Sequence, residues 1–272
     1  MKRMIGAVLL IACFGFSTMG QALPRQNFWH WKHSNVNSVE IIDHDMWQDF
    51  LSRYVVEDPL THDTDVRYGS VRPIDYKRLK YYVEFLQKQR IYDLNPDEQK
   101  AFWINLYNAT VVKTILDCMP VRSVRDINLS PSHFKRGPWD AKILNVEREY
   151  LSLDDISYIL RTVYHDNRVL YALSNGASGS PRLSPNTYEG RKLDAQLNEA
   201  ADIYINNGEA VRFSRTGLVI SQLYYWNPDD FNGTDVGILE HLALYAREPL
   251  KEKLRLYRSN LAYSYDWSLN GE

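Results

Sequence analysis

Cysteine is scarce in this sequence, and neither sign of charge is in excess. The 272 residues include 2 cysteines, and 32 basic side chains balance 34 acidic ones to a formal charge of −2. Nucleic-acid binding usually needs a basic face, so we expect no nucleic-acid partner. Cys13 and Cys118 do not form the paired motifs of zinc sites or redox centres. The sequence therefore predicts no metal site and no cofactor.

Long apolar runs are absent after the first 22 residues. At the N-terminus, basic residues 2–3 precede an apolar run over 4–16, and small residues follow at 20–22. This layout is typical of a secretory signal peptide, and the run is shorter than the roughly 20 residues that span a bilayer. We expect removal of residues 1–22, export to a bacterial periplasm, and no transmembrane helix in the mature chain.

Two alternatives stay open for the N-terminus. Residues Leu10-Ile11-Ala12-Cys13 resemble a bacterial lipobox, which would make Cys13 the lipid-anchored N-terminus of a lipoprotein. The apolar run continues through Phe14-Gly15-Phe16, which favours the cleaved signal peptide over the lipoprotein. An uncleaved N-terminal membrane anchor is the second alternative.

The composition is that of a folded domain. Hydrophobic residues make up 44% of the chain, which provides enough apolar surface for a core and excludes a disordered protein. No repeat, low-complexity tract or Gly/Ser linker divides the sequence. We expect one domain over 46–272, preceded by a loosely docked N-terminal arm over 23–45.

Periodicity and capping residues predict a single α+β domain that is predominantly helical. Asn95 before Pro96 is typical of a helix start, and Ser152 with Asp155 forms a capping box. Short apolar segments around turn residues predict two small antiparallel β elements. The predicted helices cover about 47–54, 75–89, 96–118, 152–163 and 235–258, the last as one or two helices, and the β pairs cover 143–151 and 211–225.

The predicted helix over 96–118 is apolar nearly all round, as expected of a helix at the centre of a domain. Asn105 and Asn108 are three residues apart and therefore lie on neighbouring positions of one face. Buried amides need hydrogen-bond partners. The two asparagines either hold a loop in place or face a pocket.

A loop of small residues over 174–182 is the most unusual stretch of the chain. Its two glycines leave backbone N–H groups open, as in anion-binding nests and oxyanion holes. Arg182 would add a fixed positive charge. The loop is therefore a candidate ligand site, with a tight structural loop as the alternative.

Serine catalysis in this loop is the weaker interpretation. Ser178 and Ser180 are the candidate nucleophiles, but the glycine spacing does not match the G-x-S-x-G elbow. A serine nucleophile also needs a base, which folding would have to supply from His133, His165 or His241.

Four sequence blocks resemble the DUF547 family. They are residues 95–109 (NPDEQKAFWINLYNA), 137–140 (GPWD), 151–156 (LSLDDI) and 265–270 (YDWSLN). The resemblance extends from about Trp47 to Asn270. It implies a fold shared with many exported bacterial proteins, in a family whose biochemical activity is not established.

The chain departs from the family pattern at the residues that could carry chemistry. Family members typically have cysteines at the positions of Asn175 and Ser180, and Glu-His at the positions of Ser157 and Tyr158. Such a set would suggest a thiol nucleophile with a base. This chain has neither, so the resemblance implies a relative without that chemistry.

The sequence thus favours a non-catalytic binding or interaction protein. The expected pocket includes Asn175 and Arg182, with Asn105, Asn108 and Trp139 as neighbours. Its partner would be a small molecule or an envelope protein. The alternative is a hydrolase or transferase that uses a serine of the loop, and an assembly protein would instead present an exposed aromatic patch.

Overall fold

The computed structural model describes residues 28–131, 136–215 and 217–271. The proposed signal peptide, Cys13 and His133 lie outside these residues. The helices are α1 (Asp45–Tyr54), α2 (Pro73–Leu86), α3 (Pro96–Cys118), α4 (Leu153–Val163), α5 (Leu193–Asn206), α6 (Gln222–Trp226), α7 (Asp235–Tyr245) and α8 (Leu250–Leu256). The strands are β1 (Val55–Glu57), β2 (Thr64–Val66), β3 (Leu144–Val146), β4 (Glu149–Leu151), β5 (Val211–Ser214), β6 (Gly217–Ser221) and β7 (Ala262–Ser264).

Helix α3 runs through the centre of the fold, with the bounds that the sequence predicts. The Asn95 side chain caps it by accepting hydrogen bonds from the backbone N–H groups of Asp97 and Glu98. Nearly every side chain from Ala101 to Val112 is buried, because α2 and α4 pack against the same helix. The predicted cap of α4 is also confirmed, since Ser152 and Asp155 form a reciprocal capping box.

The fold is α+β and mostly helical, as predicted. The β3–β4 and β5–β6 pairs are the two predicted antiparallel elements. Two further pairings were not predicted: the β1–β2 hairpin and the parallel addition of β7 to β6. The β7 pairing joins segments about forty residues apart, and short-range patterns do not reveal such contacts.

Two apolar clusters form the core. The larger surrounds α1 to α4, and the smaller lies among α5, α7 and the β5–β6 pair. The described part of the N-terminal arm is anchored in the larger cluster rather than loosely docked. Trp31 is fully buried, with its ring 5.1 Å from that of Trp103. Apolar burial of this extent outweighs the ordering entropy of a short segment.

In the part of the chain that the structure describes, no helix combines the length and hydropathy needed to cross a bilayer. In the same residues, no group of three or more His, Cys, Asp or Glu side chains is placed to hold a metal ion.

Candidate functional site

The small-residue loop is anchored on α3 by Asn108. The Asn108 amide nitrogen donates to the carbonyl oxygen of Ala172 at 2.8 Å, and its oxygen accepts from the backbone N–H of Ser174 at 2.9 Å. Asn108 is buried, and both polar ends of its amide are satisfied. The side chain therefore holds the start of the loop rather than facing a ligand.

The C-terminal segment 265–271 covers the other side of the loop. The backbone N–H groups of Ser178 and Gly179 donate to the carbonyl oxygens of Ser268 and Asp266, at 2.8 and 2.9 Å. The Ala177 N–H donates to the Asn175 side chain at 3.0 Å. The sequence suggested these amides as anion ligands, but each of them already donates a hydrogen bond to an oxygen of the protein.

The close approach of this segment explains the glycine at position 179. A Cβ atom added there would lie 2.6 Å from the backbone nitrogen of Asp266. Gly179→Ala should therefore push the C-terminal segment away and lower the free energy of unfolding by about 1–3 kcal/mol. Urea denaturation measures the change, and a value within about 0.5 kcal/mol of wild type would contradict the contact.

The candidate serines also face the C-terminal segment or their own loop. The Ser178 hydroxyl donates to the Leu269 carbonyl at 3.1 Å, and the Ser180 hydroxyl donates to the Pro181 carbonyl at 2.9 Å. Within the described residues, neither hydroxyl forms a hydrogen bond with a histidine. The histidine–hydroxyl bonds of the fold lie elsewhere, where His241 bonds the Tyr171 hydroxyl at 2.7 Å and His44 bonds the Tyr82 hydroxyl at 2.6 Å.

Arg182 points away from the loop interior and toward β1. Its guanidinium donates to the His62 carbonyl at 2.7 Å and lies 3.4 Å from the Glu57 carboxylate. A second ion pair joins it to Glu199 at 3.3 Å. Asn105 is likewise engaged, because its amide pairs with both backbone groups of Tyr188 at 2.8 and 3.1 Å.

An open cleft of about 560 Å³ lies beside the loop. Of the candidate residues from the sequence, Asn175 and Trp139 line it, whereas Asn105, Asn108, Arg182, Ser178 and Ser180 do not. The cleft lies between the N-terminal end of α4 and the α6 region. Its aromatic lining is Phe28, Tyr107, Trp139, Tyr158, Trp226, Tyr265 and Trp267.

Four of these rings form an aromatic cluster. Trp226, Tyr265 and Trp267 contact one another with ring centroids 4.6 to 5.3 Å apart, and Trp139 packs against Trp267 at 5.4 Å. Trp226 remains 42% exposed, so a ligand can reach it from solvent, whereas the other three rings are half-buried. An exposed ring at the edge of such a cluster is typical of a binding surface.

Charged groups of both signs also line the cleft. Arg161 forms an ion pair with Asp230, and Asp155 pairs with Lys142 while capping α4. Arg136, Asp140, Asp154 and Asn227 complete the polar lining. Neither sign of charge dominates.

Residues of the loop and of α4 meet in this cleft. Asn175, Ser157 and Tyr158 all contribute to its lining, although Asn175 lies on the loop and the other two on α4. The Asn175 amide nitrogen donates to the Tyr265 hydroxyl at 2.7 Å. Burial raises the pKa of Tyr265 above its usual value, so this hydroxyl stays protonated.

Sequence patterns did not identify Trp226, Tyr265 and Trp267 as cleft residues. The available signal was the density of aromatic residues at 224–226 and 263–267, which has no helical or strand period. The lack of helical or strand periodicity indicates that these aromatic residues do not form one face of a helix or strand. It does not show which of their rings contact one another in the fold.

The fold and site define a mostly helical α+β domain in which a small-residue loop and a central helix border an aromatic cleft. Residues 91–205 match the model of the DUF547 family, described as a protein of unknown function. Searches of curated proteins and of solved structures find nothing similar to this chain. The match covers α3, α4 and the loop, whereas Trp226, Tyr265 and Trp267 lie beyond it.

Proposed function

We propose that this chain is a non-catalytic binding protein that holds a small molecule in the aromatic cleft. The supporting observation is that Asn175, Ser157 and Tyr158 line one cleft. They are three of the four positions at which the family resemblance implies Cys or Glu-His. The site of the implied chemistry is thus retained as a cavity while its reactive groups are replaced.

The replacing side chains are poor substitutes for a thiol and its base. An asparagine amide has no nucleophilic atom comparable to a thiolate, and a tyrosine does not exchange protons near neutral pH as an imidazole does. Ser157 carries a hydroxyl, but the described lining contains no histidine to activate it. The cleft can therefore bind a small molecule, but it lacks the nucleophile and base that a covalent mechanism needs.

Thermal denaturation of the mature chain against a panel of metabolites and cell-envelope fragments tests this proposal. A ligand at 100 times its Kd stabilises the folded state by about 2.7 kcal/mol, so one compound should raise Tm by roughly 5–10 °C. The compound should be recovered unchanged after incubation. Arg182→Ala is the matched control, because Arg182 lies outside the cleft and its loss should leave the ligand-induced shift intact.

Two results would contradict the proposal. If no compound raises Tm, the cleft does not bind small molecules and an envelope protein becomes the preferred partner. If a compound is consumed and Ser178→Ala or Ser180→Ala stops its consumption, the chain is the hydrolase or transferase of the alternative interpretation.

Export of the chain is a second part of this proposal, and it rests on the basic, apolar and small-residue layout of residues 1–22. Mass spectrometry of the protein purified from cells that carry the whole gene should find an N-terminus at Leu23. An N-terminus at a lipid-modified Cys13 would show a lipoprotein instead, and a retained Met1 would exclude cleavage.

A further inference from the structure

We infer that the ligand of the aromatic cleft is a short, uncharged oligosaccharide, an inference that rests on the proposed binding function. The aromatic cluster of the cleft supplies the first reason for a sugar ligand. A sugar ring has an apolar C–H face that packs against an aromatic ring, and hydroxyl groups around its edge that need polar partners. The cleft presents aromatic rings and polar groups together, as small-molecule sites with oriented ligands do.

A cationic ligand fits the cleft less well. Aromatic cages for cations place the charge within about 6 Å of several ring faces. Here the neighbouring rings already contact one another, so no cage opens between them. The Arg125 guanidinium also lies 5.1 Å from the Trp267 ring centroid and occupies that position.

An anionic ligand is disfavoured for the opposite reason. The cleft lining includes three aspartates, at positions 140, 154 and 155. The loop amides of 177–179, which could have bound an anion, donate to protein acceptors instead. A carboxylate or phosphate would therefore meet charges of both signs and gain no backbone donor from the loop.

Sugar hydroxyls match this mixture of polar groups. A hydroxyl donates to a carboxylate oxygen and accepts from a guanidinium or amide N–H, so it can use both Asp and Arg or Asn side chains. The cleft provides carboxylates and guanidinium groups together with the Asn227 amide. A neutral molecule with many hydroxyls satisfies both signs without a net charge of its own.

The size of the cleft indicates more than one sugar ring. Its volume of about 560 Å³ falls within the roughly 300–1,000 Å³ of ligand sites. A single sugar ring would leave much of this volume unfilled, so linked rings suit the cleft better than a monosaccharide.

Isothermal titration of the mature protein with defined sugars tests the inference. The probes are chitotriose, cellotriose and maltotriose, with their monosaccharides, and the comparison probes are trialanine, choline and succinate. At least one trisaccharide should bind, and its monosaccharide should bind at least tenfold more weakly. Trp226→Ala should weaken trisaccharide binding at least tenfold, because it removes the most accessible ring of the aromatic cluster.

Tyr225→Ala is the matched control for this experiment. Tyr225 precedes Trp226 on α6 and is 65% exposed, but it does not line the cleft. Its loss should change the affinity by less than twofold. Circular dichroism melting of both variants checks that each remains folded at the titration temperature, and Trp226→Phe should recover part of the affinity if a ring face is what the sugar needs.

The outcomes separate the ligand class from the binding function. If no trisaccharide binds, or if Trp226→Ala binds one as well as wild type does, the oligosaccharide inference is wrong. If trialanine, choline or succinate binds instead and Trp226→Ala weakens it, the cleft is a binding site for another class and the proposed function stands. If none of these probes and none of the wider panel binds, both proposals fail.

Discussion

Acidification from pH 6.5 to pH 4 should lower the free energy of unfolding by about 3 kcal/mol for each of two buried histidines. Burial lowers the pKa of His44 from 6.5 to about 4, partly opposed by Asp43 and Glu189. Burial also lowers the pKa of His241 to about 4. Below pH 6.5 these histidines are protonated in the unfolded chain but stay neutral in the folded chain until the pH approaches 4. The folded state therefore loses stability as pH falls.

The hydrogen bonds of His44 explain why its neutral form is required. Asn105 pairs with both backbone groups of Tyr188, which fixes the direction of its amide. The Asn105 nitrogen therefore points as a donor toward the Nε2 of His44 at 3.2 Å. Protonation of Nε2 would place two donors against each other, so this nitrogen must accept.

Urea denaturation at half-unit intervals between pH 7 and pH 4 measures this effect. The single variants His44→Gln and His241→Gln should each show a shallower decline than wild type, and the double variant the shallowest. Other groups that titrate in this range are common to all four proteins. Equal slopes in wild type and the double variant would show that these histidines do not govern the acid response.

Asn108→Ala should lower the free energy of unfolding by about 2–4 kcal/mol, the largest effect expected of a single loop-holding side chain. The substitution leaves the Ala172 carbonyl and the Ser174 N–H without their partner and opens a cavity beside α3. Because Asn108 does not line the cleft, the residual folded protein should still bind the ligand of the wild type.

Asn198→Ala is the control for this variant. Asn198 also lies on a helix but is exposed, and its oxygen accepts a single hydrogen bond from Arg168. Its loss should change stability by no more than about 0.5 kcal/mol. If Asn108→Ala were as mild as Asn198→Ala, the amide of Asn108 would not be what holds the loop.

The helices were predictable because their signals are local. Asn95, Pro96 and the all-apolar run located α3, and Ser152 with Asp155 located the start of α4. Helix α5 was missed, although its apolar residues follow a helical spacing, since the preceding stretch to Gly190 contains several turn-forming residues. Local signals of this kind carry information over one helix but not between helices.

The site was only partly predictable because it is assembled from distant segments. The sequence singled out the loop, whose Asn175 lines the cleft, and of the expected neighbours of the loop Trp139 lines the cleft as well. Arg182 has the chemistry of an anion ligand, but the position of Glu57 on a hairpin that was not predicted directs its guanidinium elsewhere. The far wall comes from Trp226 on α6 and Trp267 on the C-terminal segment, whose ring centroids are 5.3 Å apart although the two residues are distant in sequence.

The central claim is that a small molecule binds in the aromatic cleft and leaves it unchanged, and nuclear magnetic resonance of the indole N–H groups tests it most directly. The protein has 7 tryptophans, and substitution of each by phenylalanine assigns its signal. A compound found by thermal shift should move the signals of the cleft tryptophans, leave the others in place, and keep its own spectrum over hours. The cleft tryptophans are Trp139, Trp226 and Trp267, and the other four are Trp29, Trp31, Trp47 and Trp103. Signal shifts confined to the other four tryptophans, or chemical conversion of the compound, would contradict the claim.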